Sequence, residues 1–387
     1  MKPLVFVSLL AASSLLLARG APAALAAVPT IDTAAQTGIA LDFDTGAVLY
    51  DKNADQRIQP ASLSKMMTAY VVFSYLKSGR LKLDDTLPVS EKAWAKHKTN
   101  ESNMFVPLGA QVKVEDLIRG MMIQSGNDAC VVLAEGIAGS TDAFVDLMNQ
   151  MAQKLGLKGS HFADVDGLPD PEEYMTARDI ATLGSDLIRD FPEYYHYDAE
   201  KEFTYNGIKQ GNRNPLLYKD IGVDGLKTGH TDEAGYGVAI SALRQGRRII
   251  VVLVGMTSMN ARSQESEKLL DWAYREWGDY KLVTAGETID QAPVWLGVTA
   301  TVPATVASDV VVSLPRQSRP GMKVTASYDH AAQAPVAQGE KIGTLQVTAP
   351  DAAEVDVPLI AAKPVARVRG LAHAALAAGY LLFGRSH

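Results

Sequence analysis

The chain has 387 residues, of which 47% are hydrophobic and 21% are charged, and its formal net charge is −7 at pH 7. This length exceeds the usual size of one compact domain, and the composition is that of a soluble globular protein, which excludes a disordered chain and a polytopic membrane protein. An acidic chain presents no basic field to a phosphate backbone, so nucleic acid is excluded as a partner.

The first 26 residues have the pattern of a Sec signal peptide. Lys2 precedes an uncharged apolar run that ends at Ala18, and small residues then lead to Ala24-Leu25-Ala26, an A-x-A cleavage site. We therefore predict that residues 1–26 are removed and that the mature protein is exported to the periplasm, rather than held by a transmembrane anchor.

A hairpin and a long helix are the first elements predicted after this leader. Gly38–Asp42 and Ala47–Tyr50 flank a turn in which Gly46 supplies a positive φ. After Pro60, apolar residues recur at i, i+3, i+4 and i+7 between Met66 and Phe73, and Gly79 ends the pattern. This spacing predicts a central, largely buried helix.

The middle of the chain is mainly helical in pattern. Val114–Gln124 predicts a helix, Ser125-Gly126-Asn127 interrupts it, and Asn127 or Asp128 can cap the helix that follows. Another helix is predicted to begin at Ser140 or Thr141 and to stop at Gly156.

Strand patterns replace helices from residue 225 onward. Gly225–Gly229, Tyr236–Leu243 and Ile249–Gly255 predict neighbouring antiparallel strands, and Ser263–Trp277 predicts a helix that covers them. Residues 30–282 are therefore expected to form an α+β catalytic domain, an antiparallel sheet covered by helices. Residues 283–361, with short Val- and Thr-rich segments split by Pro and Gly, predict a small all-β domain.

Residues 362–387 combine basic and apolar segments. Lys363, Arg367 and Arg369 precede the apolar stretch Leu371–Gly384. As a helix this stretch would be roughly 21 Å long, against about 30 Å for the hydrocarbon core of a bilayer. It is too short to span, so we predict an interfacial helix on the inner-membrane surface. The alternatives are a helix packed on the β domain and a disordered tail.

Three short motifs carry the candidate chemistry: Ser62-Leu63-Ser64-Lys65, Ser125-Gly126-Asn127 and Lys227-Thr228-Gly229. A serine at the start of a helix and a lysine three residues later project from the same face, so Ser62 is the predicted nucleophile and Lys65 its base. A lysine acts as a base only when it is desolvated or crowded by another cation, and Lys227 can crowd it. Ser64 has no lysine three residues beyond it. The plain alternative for Ser62 is a helix N-cap.

The second and third motifs supply predicted substrate contacts. Ser125 is suited to relay a proton to the leaving amine and Asn127 to bind a backbone carbonyl, although a capped interhelical turn would use the same residues. Lys227 and Thr228 can hold a carboxylate, while Gly229 lets an edge strand approach the ligand closely. A surface strand that ends in a turn is the alternative.

The main-chain N–H groups of Ser62 and His230 are the predicted oxyanion hole, each donor contributing about 2.7–4 kcal/mol. No metal or cofactor is expected, because Cys130 is the only cysteine and the seven histidines are scattered without an HExxH pattern. Cys130 is predicted to be a small buried hydrophobic residue.

In their order and context the motifs resemble those of active-serine penicillin-recognising enzymes. The longer segments Pro60–Thr68, Gln124–Cys130 and Gly225–Asp232 resemble the low-molecular-mass penicillin-binding proteins that act as D-alanyl-D-alanine carboxypeptidases. This resemblance runs from about residue 38 to residue 280 and implies a transpeptidase/β-lactamase-like catalytic fold. It also implies that Arg262 helps to bind the substrate carboxylate and that Asp179 and Arg213 lie near the rim of the site. Met175 departs from the serine of many relatives.

The activity that the resemblance implies is release of the terminal D-Ala from peptidoglycan stem peptides through a Ser62 acyl-enzyme, with penicillins as acylating inhibitors. A β-lactamase is disfavoured because no Glu-x-x-Leu-Asn segment lies between the second and third motifs. A D,D-endopeptidase of cross-links would need the same residues and stays an alternative. A non-catalytic penicillin-binding scaffold is another, against which the complete set of motifs argues.

Overall fold

A computed structural model of the chain describes residues 30–96 and 101–370. The predicted signal peptide and the apolar stretch Leu371–Gly384 lie outside these residues. Within them, no helix has the length and apolar character needed to cross a membrane.

Helices and strands alternate irregularly along the first part of the chain. The helices are α1 (Lys65–Lys77), α2 (Glu91–Ala95), α3 (Val114–Ile123), α4 (Asn127–Ala138), α5 (Thr141–Leu155), α6 (Ala177–Asp190), α7 (His196–Ala199) and α8 (Met259–Glu276). The strands of the same part are β1 (Thr37–Asp42), β2 (Val48–Lys52), β3 (Thr86–Pro88), β4 (Gln111–Lys113), β5 (Glu202–Tyr205), β6 (Ile208–Gly211), β7 (Val223–Gly225), β8 (Thr228–Thr231), β9 (Gly235–Arg244) and β10 (Arg247–Met256).

The main sheet is antiparallel and has the order β2-β1-β10-β9-β7, with β8 also paired to β9. Both of its faces are covered. Along β10, Ile250, Val252 and Val254 pack into the large helical layer, while the alternate residues Ile249, Val251 and Leu253 pack on the side of α8. This period-2 alternation gives the central strand two buried faces and confirms the predicted α+β domain.

Helix α1 lies inside the helical layer, where every residue from Lys65 to Phe73 is buried. The prediction of a central, buried helix is confirmed, and so are the hairpin of β1 and β2 and the helix capped by Ser140. The α-helix begins later than Pro60, because Ala61–Ser64 forms a separate 3-10 turn.

Three boundaries differ from the sequence predictions. Gly225–Gly229 is divided between β7 and β8, which pair with different parts of β9, with Leu226 and Lys227 between them. Helix α8 begins at Met259 because the Ser258 side chain accepts a hydrogen bond from the Ala261 N–H and caps it. Trp277, predicted as the end of that helix, is the first residue of the next strand, although it is buried as expected.

The remainder of the described chain is all β, as predicted. Its strands are β11 (Trp277–Val283), β12 (Asp290–Trp295), β13 (Thr301–Thr305), β14 (Val310–Pro315), β15 (Lys323–Ser327), β16 (Ala332–Gln333), β17 (Lys341–Thr348) and β18 (Val355–Ala361). Strand β11 pairs with β14, and the others form a sheet of order β15-β17-β18-β13-β12-β16. The boundary between residues 282 and 283 falls in β11 and stays a prediction.

Candidate active site

The predicted nucleophile and base lie in contact at the junction of the 3-10 turn and α1. Lys65 Nζ is 2.9 Å from Ser62 Oγ, and the Lys65 side chain is fully buried. Ser64, the rival serine, is buried and donates its hydroxyl to the carbonyl of Ala61 instead. The local i, i+3 geometry predicted from the motif therefore brings one serine, and not the other, to the lysine.

A loop far away in sequence supplies the second contact of Lys65. The lysine Nζ donates to the main-chain oxygen of Asp166. The Asp164 carboxylate shapes this loop, because it accepts from the N–H groups of Asp166, Gly167 and Leu168 at 2.8, 2.6 and 3.1 Å. This contact to Lys65 was not predicted from the sequence. The Asp-x-Asp-Gly pattern of residues 164–167 could have indicated the loop, because it is typical of a side-chain-capped turn.

Two contacts hold this loop in place, one with the turn Ala61–Ser64 and one with Lys96. Gly167 has φ +76°, and a Cβ there would collide with the Ala61 carbonyl and lie 2.5 Å from Ser64 Oγ. The Asp166 side chain is buried and pairs with Lys96 at 2.7 Å. The loop is thus held by close main-chain packing at Gly167 and by the side-chain ion pair of Asp166.

A buried carboxyl group lies beside the same loop. Glu173 accepts hydrogen bonds from the N–H groups of Ala163 and Asp164 at 3.3 and 3.1 Å. Burial, followed by the negative charge of Asp164, raises the pKa of Glu173 to about 8. Met175, two residues later, is buried, and the main chain of Met175 pairs with that of Ile58. The methionine that replaces the serine of many relatives therefore lies inside the domain.

The second motif forms the break between α3 and α4. Ser125 is buried with φ +67°, and its Oγ has no hydrogen-bond partner among the described residues. Asn127 is also buried, and its Nδ2 donates to Glu101 Oε2 at 3.0 Å. An unpaired buried hydroxyl is a group that a ligand can satisfy.

The predicted capping of α4 by Asn127 or Asp128 is wrong. Asn127 is the first helical residue, and Gly126 occupies the cap position without a side-chain bond. The Asp128 carboxylate accepts instead from the Met104 and Val106 N–H groups, at 2.9 and 3.1 Å, and so anchors the segment that carries Glu101.

Lys227 lies just before β8 and is buried. Its Nζ donates to the Thr228 carbonyl at 3.2 Å. Burial, followed by the positive charges of Lys65 and Arg213, holds the pKa of Lys227 well below its ordinary value of 10.5. The two lysines are therefore close enough for the charge of Lys65 to lower the pKa of Lys227.

Gly229 lets β8 pack directly on the serine turn. A Cβ at this position would lie 2.9 Å from the Pro60 carbonyl oxygen and 3.2 Å from the Leu63 nitrogen. His230 follows in the same strand, and its exposed ring lies 3.9 Å from that of Tyr236. The strand that carries the third motif thus runs against the backbone of the first motif.

Two arginines complete a group of cations. Arg262, on α8, is buried, and burial lowers its pKa to about 10. Its Nη2 donates to the Arg213 carbonyl at 3.3 Å, and its Nε has no hydrogen-bond partner in the described chain. Burial also lowers the pKa of Arg213. Together with Lys227, these side chains place several cationic groups close together in an acidic protein, which suits an anionic ligand.

Asp179 makes hydrogen bonds at the start of a helix, and its place near the rim stays a prediction. Its carboxylate accepts from the Gly159 N–H and Ser160 hydroxyl, both at 2.8 Å, at the start of α6. A different carboxyl group, Asp198, was missed by the sequence analysis. It is buried with both oxygens unbonded to described residues, and burial, opposed by the charge of Lys227, raises its pKa to about 7.

Cys130 is buried and free, and its Sγ donates to the Gly126 carbonyl. Burial raises its pKa to about 12, so the prediction of an inert apolar role is confirmed. In the part of the chain that the structure describes, no group of three or more His, Cys, Asp or Glu side chains is placed to hold a metal ion.

Comparison with known protein families gives two matches. Residues 23–258 match the family described as D-alanyl-D-alanine carboxypeptidase. Residues 277–367 match the family described as penicillin-binding protein 5, C-terminal domain. The two matches cover the helix-covered sheet and the all-β region in turn.

Individual relatives are similar over most of their length. The D-alanyl-D-alanine carboxypeptidase DacA of Haemophilus influenzae is 43% identical over 80% of this chain and 79% of its own. The Escherichia coli enzyme DacC is 42% identical over 87% and 86%. The crystal structure of penicillin binding protein 5 from Haemophilus influenzae has a TM-score of 0.82 at 40% identity, covering 88% of this chain and all of that one.

Proposed function

This chain belongs to the D-alanyl-D-alanine carboxypeptidase family, and we propose that Ser62 is the residue through which it releases the terminal D-Ala of peptidoglycan stem peptides. The observation that carries this assignment is the 2.9 Å contact between Ser62 Oγ and Lys65 Nζ, next to the low-pKa Lys227. A hydroxyl needs such a base, since it is a weak nucleophile at neutral pH.

In the acylation step Ser62 Oγ attacks the carbonyl carbon of the penultimate D-Ala, and its proton passes to the Lys65 amine. The negative charge that develops on the carbonyl oxygen is stabilised by the N–H groups of Ser62 and His230. The C–N bond then breaks, and the departing D-alanine takes up a proton, which Ser125 Oγ relays. An acyl ester on Ser62 remains.

Deacylation repeats the chemistry with water as the nucleophile. Water attacks the ester carbonyl, Lys65 accepts its proton, and Ser62 leaves as the hydroxyl. Penicillins follow the first step only, because the amine that is released from the β-lactam ring stays tethered to the acyl group and obstructs the approach of water.

The cations beside the nucleophile select a peptide with a free C-terminus. We assign the terminal carboxylate to Lys227, Thr228 and Arg262, and the backbone carbonyl before the dipeptide to Asn127. The unpaired Arg262 Nε supports this role, since a buried donor without a partner is satisfied when an anion binds.

We also propose that the chain is exported and that residues 362–387 attach it to the periplasmic face of the inner membrane. The support is compositional: a basic flank and an apolar stretch too short to span a bilayer. Sedimentation of the full mature chain with anionic vesicles, compared with a chain that ends at residue 361, tests the attachment. Equal sedimentation of the two chains would refute it.

The activity is tested with the chain from residue 27 onward and diacetyl-Lys-D-Ala-D-Ala. We expect release of D-alanine and labelling by a fluorescent penicillin, both of which are lost in Ser62→Ala. Ser64→Ala is the matched control, since Ser64 lies in the same turn and donates its hydroxyl to the Ala61 carbonyl. Release that survives Ser62→Ala would refute the mechanism. Labelling without release would point to the endopeptidase or to a binding role.

A further inference from the structure

An acidic side chain contacts the second motif. Glu101 is exposed, and its Oε2 accepts the Asn127 Nδ2 hydrogen bond at 3.0 Å. Its main-chain carbonyl accepts from Asn103 Nδ2 at 3.0 Å, and the next carbonyl, that of Ser102, accepts from the Asn127 N–H at 2.8 Å. The carboxylate is therefore held beside Asn127 by both its backbone and its side chain.

The order of contacts along a bound peptide locates Glu101 relative to the substrate. If the terminal carboxylate is on Lys227 and the scissile carbonyl in the oxyanion hole, the next carbonyl toward the N-terminus belongs to the residue before D-Ala-D-Ala. That carbonyl is the one left for Asn127. The side chain of the same residue then emerges next to the group that Asn127 already touches, which is the Glu101 carboxylate.

We propose that Glu101 is a specificity-determining residue that favours stem peptides with a positively charged side chain immediately before D-Ala-D-Ala. The inference rests on the proposed function. The site offers both signs of charge, since Lys227, Arg213 and Arg262 lie close together and Glu101 lies on Asn127. A peptide that is anionic at its C-terminus and cationic at the residue before the dipeptide matches this arrangement.

Lys96 is a cation near Glu101 that could compete with a substrate ammonium, but it already forms an ion pair. Lys96 pairs with the Asp166 carboxylate at 2.7 Å. The Glu101 carboxylate is exposed, so a substrate ammonium can reach it. Because the carboxylate is exposed, the preference it gives is modest, on the order of two- to fivefold in kcat/KM, and sensitive to salt.

Two peptides that differ only in charge test the proposal. One carries a free ε-amino lysine before D-Ala-D-Ala, and the other carries the Nε-acetylated lysine. We expect the wild-type chain to hydrolyse the free-amine peptide several-fold faster at low ionic strength, with the ratio falling toward one as salt is added. In Glu101→Gln the ratio should be close to one at every salt concentration, since glutamine keeps the acceptor for Asn127 and loses the charge.

A matched control variant is available in the β domain. Glu354 is also exposed and also accepts a side-chain amide, from Gln346 Nε2 at 3.0 Å. Glu354→Gln should keep the wild-type ratio. Equal rates for the two peptides in the wild type, or a ratio unchanged by Glu101→Gln, would overturn the inference and leave the carboxypeptidase intact. If Glu101→Gln speeds both peptides equally, Glu101 competes for Asn127 and does not select, which also overturns it. Failure to hydrolyse either peptide would instead refute the proposed function itself.

Discussion

Replacing Gly229 by alanine should separate the two halves of the proposed oxyanion hole. The new Cβ would lie 2.9 Å from the Pro60 oxygen and 3.2 Å from the Leu63 nitrogen. Both atoms are main chain, and the Leu63 N–H is bonded to that same Pro60 oxygen, so neither can rotate away. Ordinary contacts of a Cβ begin at 3.4 Å, so the strand and the serine turn must move apart by roughly half an ångström.

We expect Gly229→Ala to slow acylation more than it destabilises the fold. One donor of the oxyanion hole, the Ser62 N–H, is on the turn, and the other, the His230 N–H, is on the displaced strand. Loss of a single such donor costs about 2.7–4 kcal/mol, or 10²–10³ in rate. Overpacking at one position destabilises a protein by about 1–3 kcal/mol. We therefore expect Gly229→Ala to fold and to be acylated about a hundredfold more slowly.

The measurement is the second-order rate of acylation by a fluorescent penicillin, together with the thermal unfolding temperature. Gly237→Ala is the matched control, because Gly237 is paired with Gly229 across the two strands and its Cβ would meet only side-chain methyl groups, the nearest at 3.2 Å. The reasoning fails if Gly229→Ala is acylated within about threefold of the wild-type rate, or if the control loses as much.

Three further outcomes are expected. Lys65→Arg should lower acylation about 10²–10⁴-fold, measured with the same penicillin, since guanidinium does not deprotonate; a smaller loss would exclude Lys65 as the base. Arg262→Gln should raise KM for the peptide acid by tenfold or more but leave a peptide amide nearly unaffected, and equal losses would remove its carboxylate role. Glu173→Gln should flatten the decline in the free energy of unfolding between about pH 4.5 and 8, followed by urea titration. The folded state holds a Glu173 proton that the unfolded state has lost in that window, so wild-type stability falls by roughly 1.4 kcal/mol per unit of pKa shift. An unchanged pH profile would show that the carboxyl is ionised when folded.

Sequence patterns predicted the features that depend on neighbours in the chain. Ser62 and Lys65 meet because of helical spacing, and the apolar run Ile249–Gly255 lies in the predicted strand, β10. The interruption between β7 and β8 was missed, because the run from Gly225 to Gly229 carries nothing that distinguishes one strand from two.

Contacts between distant segments could not be predicted in this way. The Asp166 carbonyl reaches Lys65 across 101 positions, and the Glu101 carboxylate reaches Asn127 across 26. Asp198 is brought under Lys227 by a short helix whose sequence has no motif. These contacts are products of tertiary packing, and only the assembled fold reveals them.

The main-chain contact to the catalytic lysine has a consequence for how this enzyme can evolve under antibiotic pressure. Any amino acid at position 166 keeps a carbonyl oxygen, so no single replacement there deletes the atom that Lys65 bonds. Gly167 leaves no room for variation either, because a side chain would collide with the serine turn. Substitutions that weaken drug acylation are therefore expected at the periphery of the cleft. The loop at residues 166 and 167 is expected to vary little.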